Sequence, residues 1–395
     1  MKNKPVFLQR CLRFIQLLTV ASIIVACASP RTTLAPQPDT VLPFQRFENK
    51  LDNLRRRLDI PGMSVAVLHD QEVVYKKGFG YADIEKQIPA TPATTYHIAS
   101  LTKPFSAAVV MTLVESGKLK LDDEMSDILK DADFYRSGYH AHGYAALCEG
   151  IRKLSWRYGS LLGDYRCHSN PILVKHHITH TSQGRPGTRY KYNGFLFSFL
   201  TEVVEQVSQK PFEEMLVERI IAPFEMMDTV PSINAECRKQ ALFRRAKYYQ
   251  LNMFGRVVPS TNRPLKLSAS AGMISTVIDI AKFDVAMDRD LIVSQSTREM
   301  MHSPTISIYG QTLPYGIGWF VQRYKGIKLI WHYGHVPKVC SSLILKLPER
   351  QLTIILLANS DGASKNFNLG KGDVLNSPFA RQFIESFTDI GQTVR

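Results

Sequence analysis

The order of hydrophobic and polar positions predicts strands near both ends of the chain and helices between them. Residues 63–68 and 72–78 alternate in the manner of two strands, which predicts a hairpin that turns at residues 69–71. Toward the C-terminus, further predicted strands cover residues 315–323, 328–333, 341–347 and 352–357. The last of these is almost entirely apolar, so we expect it to lie in the centre of a sheet.

Helical spacing of apolar residues is found in several other segments. The predicted helices cover residues 46–58, 104–116, 194–209, 275–287 and 379–387. The segment from Pro104 to Val114 is polar on almost no face, which predicts a helix in the centre of the molecule, and Ser116-Gly117 marks its end. Residues 134–170 are rich in tyrosine, glycine and histidine and lack clear periodicity, so we interpret them as an insertion that could form a lid.

Composition and charge narrow the classes of function. The 395 residues carry a formal net charge of +14, and 45% of them are hydrophobic, which is ordinary for a globular protein with a core. An excess of basic over acidic residues favours an anionic partner such as a nucleic acid, a membrane surface or an acidic polymer. The chain has no block of lysine and arginine and no zinc-finger spacing, so we expect no nucleic acid partner. The dispersed cations are typical of a soluble basic surface.

The N-terminus predicts export and a lipid anchor. Four basic residues precede an apolar stretch at 14–26 that fits a secretory signal. Residues 24–27 (Ile-Val-Ala-Cys) resemble the bacterial lipobox, which implies lipidation of Cys27, and an ordinary signal beside an incidental cysteine is the alternative. We therefore predict a signal peptide at 1–26 and a flexible tether at 27–45. The protein would be anchored to the cell envelope, on the periplasmic side of the outer membrane in a cell that has one.

Four cysteines lie beyond the predicted anchor, in what would be an oxidising compartment: Cys148, Cys167, Cys237 and Cys340. Four cysteines allow three pairings, and the first two lie in one segment, so we predict that these two form a disulfide. Residues 176–180 (His-His-Ile-Thr-His) lack the glutamate of the HExxH zinc motif. We interpret these histidines as structural and expect neither a metal nor a cofactor.

One Ser-x-x-Lys sequence, Ser100-Leu101-Thr102-Lys103, stands where a polar segment meets the apolar helix. Residues three apart share a helix face, so Lys103 is expected beside the Ser100 hydroxyl. A serine becomes a good nucleophile when a base takes its proton, and a buried lysine with a lowered pKa can be that base. A capping serine followed by a solvated lysine is the alternative, and the apolar surroundings of Lys103 disfavour it.

Two further groups of residues follow in order. Residues 186–194 read Pro-Gly-Thr-Arg-Tyr-Lys-Tyr-Asn-Gly before a predicted helix, and residues 331–335 read Trp-His-Tyr-Gly-His near the end of a predicted strand. Together the three groups resemble the serine β-lactamase and penicillin-binding-protein superfamily, and most closely its branch of class C β-lactamases, DD-peptidases and related esterases. Segments 177–182, 271–276 and 315–319 also match family stretches.

The resemblance implies a fold and a domain plan. It implies an α/β (α+β), β-lactamase-like fold, in which helices flank an antiparallel sheet and a mainly helical subdomain is inserted. The catalytic domain would cover residues 46–390. Its α/β part would comprise about 46–98 and 271–390, and its helical part about 99–270, with the insertion at about 134–170.

The resemblance also implies a catalytic group. Ser100 would be the nucleophile, and Lys103 and Tyr192 would share proton transfer, first as base and then as acid to the leaving group. Tyr192 falls six residues after Pro186, as the family motif requires, although Tyr190 competes for the role. A tyrosinate would form only if nearby cations lowered its pKa from about 10.

The third group would complete the substrate site. His332 and Gly334 stand where the family has Lys-Thr-Gly or His-Thr-Gly, and the N–H of His335 would join that of Ser100 in an oxyanion hole. Two residues depart from the family pattern. Gly194 replaces an asparagine that would orient the substrate and the lysine, and His332 replaces a lysine that would hold a carboxylate at any working pH.

These observations predict a serine hydrolase that acts through an acyl-enzyme on an ester or a peptide-like amide. A small molecule or a cell-wall D-amino-acid peptide would be the substrate. Both departures weaken the case for efficient β-lactam turnover, and His332 favours an esterase or peptidase. The main alternative is a non-catalytic envelope protein that binds wall peptides or a protein partner in a degenerate pocket, which Gly194 favours and the intact Ser100, Lys103 and Tyr192 oppose. A basic surface adhesin is a weaker alternative, because the sequence has no evident binding features of that kind.

Overall fold

The computed structural model describes residues 41–136, 139–153, 159, 161–167, 171–231 and 239–388. The predicted signal peptide, Cys27, most of the predicted tether and Cys237 lie outside the described residues. The chain divides into two units, Met1–Phe44 and Gln45–Arg395. The sheet and the candidate site both belong to the second unit.

In the described part of the chain, most strand residues belong to one sheet. The strands are β1 (Gly62–His69), β2 (Glu72–Asp83), β3 (Ile88–Pro89), β4 (Tyr96–His97), β5 (Asp133–Arg136), β6 (Tyr139–His142), β7 (Tyr249–Leu251), β8 (Val257–Pro259), β9 (Ile274–Ser275), β10 (Phe320–Tyr324), β11 (Ile327–Val336), β12 (Cys340–Leu347) and β13 (Leu352–Ala358). Seven of them form an antiparallel sheet in the order β10-β11-β12-β13-β1-β2-β3. The sheet thus joins the first strands of the chain to the last ones.

The apolar strand predicted near the C-terminus is central, as expected. Every residue of β13 is buried. Its Ile355 pairs with Ala66 of β1 on one side and with Ile344 of β12 on the other. A strand covered by neighbours on both edges and by packing on both faces is stabilised by apolar residues at every position.

The helices are α1 (Val41–Arg57), α2 (Thr102–Glu115), α3 (Met125–Ile128), α4 (Tyr144–Lys153), α5 (Val174–Ile178), α6 (Gly194–Phe197), α7 (Leu200–Ser208), α8 (Phe212–Leu216), α9 (Lys239–Phe243), α10 (Val277–Asp288), α11 (Gln295–Met301) and α12 (Pro378–Phe387). The apolar α2 is buried along most of its length. Its Phe105 stacks on Phe283 of α10 with ring centroids 3.8 Å apart. None of the described helices is long and apolar enough to cross a membrane.

Helix α10 is tied to the sheet by a buried ionic group. Lys346 of β12 donates to Asp284 and to Asp288, both at 2.6 Å. Lys346 and Asp284 are almost completely buried. Separation of these groups would leave an uncompensated charge in the interior, which is strongly destabilising, so the contacts fix α10 against the sheet in one position.

Residues 134–170, predicted as an insertion without periodicity, contain regular structure where they are described. Strands β5 and β6 form a hairpin in which Asp133 pairs with His142, and α4 follows. The predicted disulfide between Cys148 and Cys167 is present, and Cys340 is free and buried.

The predicted strand at 315–323 is wrong in its first half, because β10 begins at Phe320. Residues before it form a tight turn, in which the N–H of Gly316 donates to the carbonyl of Trp319 at 2.7 Å. Gly318 has φ +77°, and a Cβ there would lie 2.3 Å from the Cβ of Ala107 on α2. The turn therefore requires a glycine both for its backbone conformation and for its close packing on the central helix.

Candidate active site

Ser100 lies in a short 3₁₀ turn, Ala99–Leu101, which leads directly into α2. Ala99 has φ +52°, a left-handed conformation that costs an alanine about 1 kcal/mol or more. The N–H of Ala99 donates to Nδ1 of His97 at 3.1 Å, and the Ser342 hydroxyl donates to the carbonyl of Ile98 at 2.8 Å. These contacts with β4 and β12 hold the turn in its strained form, with Ser100 partly exposed.

Lys103 stands where the spacing predicts, beside the serine. Its Nζ lies 2.8 Å from Ser100 Oγ and donates to the carbonyl of Ser270 at 2.9 Å. The side chain is completely buried, and no carboxylate among the described residues pairs with it. Burial holds the pKa of Lys103 well below its usual value. A neutral amine at this position can accept the serine proton.

The two candidate tyrosines have different surroundings. The Tyr190 hydroxyl donates to the carbonyl of Gly370 at 2.9 Å. The Tyr192 hydroxyl is buried without a hydrogen bond of normal geometry, and its ring centroid lies 5.0 Å from Nζ of Lys103. Tyr192 therefore lies beside the lysine with its hydroxyl free of other partners among the described residues, while the hydroxyl of Tyr190 is engaged by the backbone.

Tyr192 is a neutral phenol in this arrangement. Burial and the nearby Tyr333 raise its pKa well above its usual value, and the Ser100 hydroxyl lowers it by less. The tyrosine therefore carries a proton that it could donate, whereas the amine of Lys103 can accept one. A neutral phenol differs from the tyrosinate base considered in the sequence analysis, which would require nearby cations to lower the pKa of Tyr192.

Gly194 lies next to the lysine, at the first position of α6. A Cβ at this residue would be 3.6 Å from Nζ of Lys103, so an asparagine there would stand beside the amine. The neighbouring Asn193 points elsewhere, because its Oδ1 caps α6 by accepting from the N–H of Leu196 at 3.1 Å. On the turn 192–194, no side-chain amide therefore takes the place of the asparagine that the family motif has at position 194. The Ser270 carbonyl, a neutral group, accepts a hydrogen bond from Lys103 instead.

His332 is placed at the site but has both ring nitrogens engaged. Its Nδ1 lies 2.8 Å from the carbonyl of Tyr333, which requires a proton on that nitrogen, and its Nε2 lies 3.0 Å from the Tyr315 hydroxyl. Burial first and the nearby Lys103 second hold the pKa of His332 well below its usual value. In this conformation the ring is neutral and supports Tyr315, and its predicted contact with substrate stays a prediction.

Gly334 lets β11 pass close to the nucleophile turn. A Cβ at this position would lie 2.2 Å from Oγ of Ser342 and 2.3 Å from the carbonyl oxygen of Ile98. His335 follows on the same strand, with its Nε2 3.9 Å from Asp361 and its side chain partly exposed. The strand therefore brings the backbone at His335 to the same region as the turn that carries Ser100.

Several residues of the site were not predicted from the sequence. Ser270 and Gly370 contribute through backbone carbonyls, and His97 holds the turn from two residues before Ala99. A backbone contact leaves no residue-type signal, so the sequence offers no way to find the first two. His97 also binds the carbonyl of Leu265 at 3.2 Å, so it links the turn to the segment that supplies Ser270.

The histidines at 176–180 have structural contacts. The N–H of Leu173 donates to Nδ1 of His176 at 3.0 Å, and Nδ1 of His177 lies 2.8 Å from the carbonyl of Leu196. His180 packs against the Tyr192 ring with centroids 4.4 Å apart. In the part of the chain that the structure describes, no group of three or more histidine, cysteine or acidic residues could hold a metal ion.

Comparison with known proteins agrees with the motifs. Residues 47–374 match the Beta-lactamase family. The chain therefore belongs to the β-lactamase family, which confirms the resemblance and the β-lactamase-like fold predicted from the sequence.

Two of the relatives that the chain resembles are about a quarter identical to it. Protein flp of Staphylococcus aureus strain MW2 is 23% identical over 323 residues, which cover 80% of this chain and 63% of that protein. A D-aminopeptidase of Gluconobacter oxydans strain 621H is 26% identical over 324 residues, which cover 81% of this chain and 60% of that protein. The chain thus spans less than two thirds of the length of either relative.

Solved structures share the fold. The octameric penicillin-binding protein homologue from Pyrococcus abyssi has a TM-score of 0.65 and 26% identity, over 81% of this chain and 74% of that one. The D-amino acid amidase from Ochrobactrum anthropi SV3 has a TM-score of 0.63 and 22% identity, over 87% of this chain and 98% of that one.

Proposed function

We propose that this protein is a serine hydrolase that forms an acyl-enzyme at Ser100. The observation that carries the proposal is the completely buried Lys103, whose amine lies 2.8 Å from Ser100 Oγ and has a pKa held low by burial. A lysine that served only as a surface charge would be solvated and protonated. The family match and the relatives that are hydrolases support the same general class.

The proposed reaction begins with proton transfer from Ser100 to the neutral amine of Lys103 while Oγ attacks the substrate carbonyl. The resulting oxyanion would be stabilised by the N–H groups of Ser100 and His335. Tyr192 then donates its proton to the leaving oxygen or nitrogen and recovers one from the ammonium of Lys103. Water releases the acyl group by the reverse sequence of proton transfers, which restores the serine.

We propose a neutral ester or amide as the substrate. Lys103 and His332, the basic residues at the centre of the site, are both buried with lowered pKa values, so neither offers a stable positive charge to a substrate carboxylate. This arrangement favours an esterase or amidase over an enzyme that must hold the carboxylate of a β-lactam. A neutral derivative of a D-amino acid, such as an N-acyl amide, falls within the proposed class, and the chain's similarity to a D-aminopeptidase and a D-amino acid amidase supports such a substrate.

The test is the intact mass of the protein after exposure to a fluorophosphonate and, separately, to a penicillin. We expect one fluorophosphonate adduct that is lost in Ser100→Ala and kept in Ser106→Ala, a buried serine on the same helix. A penicillin should label more slowly, if at all. An unlabelled but folded protein would instead support the non-catalytic peptide-binding alternative, and faster labelling by penicillin would contradict the preference for neutral substrates.

We also propose that Cys27 is lipidated and anchors the protein to the cell envelope. The proposal rests on the lipobox-like residues 24–27 alone. Globomycin, which blocks the lipoprotein signal peptidase, should leave the precursor unprocessed. Normal processing in its presence would point to an ordinary secretory signal.

A further inference from the structure

Residues 243–266, which we call the basic arm, combine positive charge with exposed apolar side chains. The arm contains six lysine and arginine residues and no aspartate or glutamate. Three of its large apolar residues are strongly exposed: Phe243 by 93%, Met253 by 91% and Phe254 by 77%. Isolated exposed apolar residues are common in proteins, but three of this size in one short segment call for a partner.

The tip of the arm is an ordered turn that holds its apolar residues outward. Strands β7 and β8 form a hairpin, and Asn252 organises the connection between them. Its side-chain oxygen accepts from the N–H of Phe254 at 2.9 Å and from the N–H of Arg256 at 3.0 Å. The exposure of Met253 and Phe254 is therefore a property of a defined turn and is not the result of fraying.

The charges of the arm are only partly neutralised by the protein itself. Arg244 pairs with Asp228, and Lys247 pairs with Glu85 at 2.9 Å. Arg256, Arg263 and Lys266 are exposed and form no ion pair with another described residue. An exposed apolar tip that carries Arg256 on the same turn, with two more unpaired cations in the same segment, fits a surface that is negatively charged outside and apolar just beneath.

A second exposed apolar hairpin provides a contrast. Ile306, Ile308 and Tyr309 are exposed by 58%, 54% and 65%. The surrounding residues 303–312 contain no charged side chain at all. Arg185 stands beside this hairpin, with its guanidinium 3.5 Å from the Tyr309 hydroxyl, but the hairpin itself carries no cation. The basic arm differs because it combines exposed apolar residues with three exposed, unpaired cations in one segment.

We propose that the basic arm binds a bilayer that contains anionic lipids, with Met253 and Phe254 entering the interface between headgroups and acyl chains. The cations at Arg256, Arg263 and Lys266 would contact the lipid phosphates. This interaction is independent of the proposed hydrolase activity and of lipidation at Cys27. It would hold the folded domain itself against a membrane surface.

The test uses the processed chain, without signal residues 1–26 and with Cys27→Ser, so that neither the apolar signal nor a lipid anchor contributes, and places a tryptophan at the tip as Phe254→Trp. Tyr309→Trp, on the uncharged hairpin, is the matched control. With vesicles of phosphatidylglycerol and phosphatidylethanolamine, we expect the emission of the Phe254→Trp protein to shift to the blue and to be quenched by brominated lipids. The Tyr309→Trp protein should show neither change. No shift at position 254, or equal shifts at both positions, would overturn the proposal.

The electrostatic part is tested in the same Phe254→Trp background. Arg256→Gln and Lys266→Gln should each lower the vesicle partition coefficient roughly fivefold at low salt. Equal binding to purely zwitterionic phosphatidylcholine vesicles would contradict the role of the cations. A fluorescence change on addition of soluble polyglutamate, without one on vesicles, would identify an acidic polymer as the partner and reject a bilayer.

Discussion

Replacement of Lys103 by methionine tests whether the buried amine is neutral in the folded protein. Methionine has a similar length and carries no charge, so it fits the same apolar surroundings with little strain. The change removes the two polar contacts of Nζ, with Ser100 Oγ and with the Ser270 carbonyl. Their loss costs about 1–3 kcal/mol in total, because the carbonyl is left without its donor, and this cost does not depend on pH.

The pH-dependent part follows from the direction of the pKa shift. The unfolded lysine binds a proton up to a pH of about 10.4, whereas burial holds the pKa of the folded lysine well below 10.5. Between these two values the unfolded state binds one more proton than the folded state. The free energy of unfolding of the native protein should therefore fall, relative to Lys103→Met, by about 1.4 kcal/mol for each unit that the pH decreases.

The assay is urea unfolding of both proteins at several pH values between 7 and 9.5. The stability of the methionine variant relative to the native protein should rise by about 1.4 kcal/mol for each unit that the pH is lowered, down to the pKa of the folded lysine. Its labelling by a fluorophosphonate should be lost. Lys118→Met, at an exposed lysine, controls for the removal of one positive charge. A stability difference that stays constant over this range would show a protonated Lys103 and would refute the proposed base.

Three further predictions concern the surroundings of the nucleophile, and each uses the rate of ester hydrolysis, the rate of fluorophosphonate labelling or the free energy of unfolding. Tyr192→Phe should slow the hydrolysis of an alkyl ester by about 10²–10⁴-fold, because it removes the proton donor to the leaving oxygen. Tyr190→Phe should slow it by about tenfold or less, and equal effects would contradict the assignment. Gly334→Ala should destabilise the protein by about 1–3 kcal/mol, because its Cβ would lie 2.3 Å from the carbonyl oxygen of Ile98; unchanged urea unfolding would show that the strand can move. Burial lowers the pKa of His97 to about 4. Fluorophosphonate labelling should therefore decline as the pH falls through about 4, because the protonated ring can no longer accept the N–H of Ala99, which holds the nucleophile turn. A His97→Phe variant should lack that step in its pH profile.

Local patterns were enough to predict most of the fold. The positions of β1, β2, β12, β13 and α12 follow from alternation and helical spacing, because each pattern is set by which face of an element is buried. The predicted strand before Phe320 was wrong in part, because the turn there depends on Gly318 packing on a helix far away in sequence. The alternation of apolar and polar residues carries no information about a contact between segments that are far apart in the chain.

In the candidate site, too, some features follow from local sequence and others depend on contacts between distant segments. Ser100 and Lys103 are three residues apart on one helical turn, so the sequence alone predicts that they lie close together. The choice of Tyr192 over Tyr190 depends on which hydroxyl meets the Gly370 carbonyl, about 180 residues further along the chain. The assignment of Ser100, Lys103 and Tyr192 as catalytic residues stays a prediction.

The sequence by itself determined the family, the order of the strands and helices, and the pairing of serine with lysine, since each follows from residues that are close together in the chain. Only the tertiary structure decided which groups surround them. It brought the Ser270 carbonyl to the lysine, engaged both nitrogens of His332, and showed which of the dispersed cations are exposed and unpaired in the segment with the exposed apolar tip. These features arise from distant segments that pack together, and the energy of such contacts depends on burial and distance, which residue types alone do not specify.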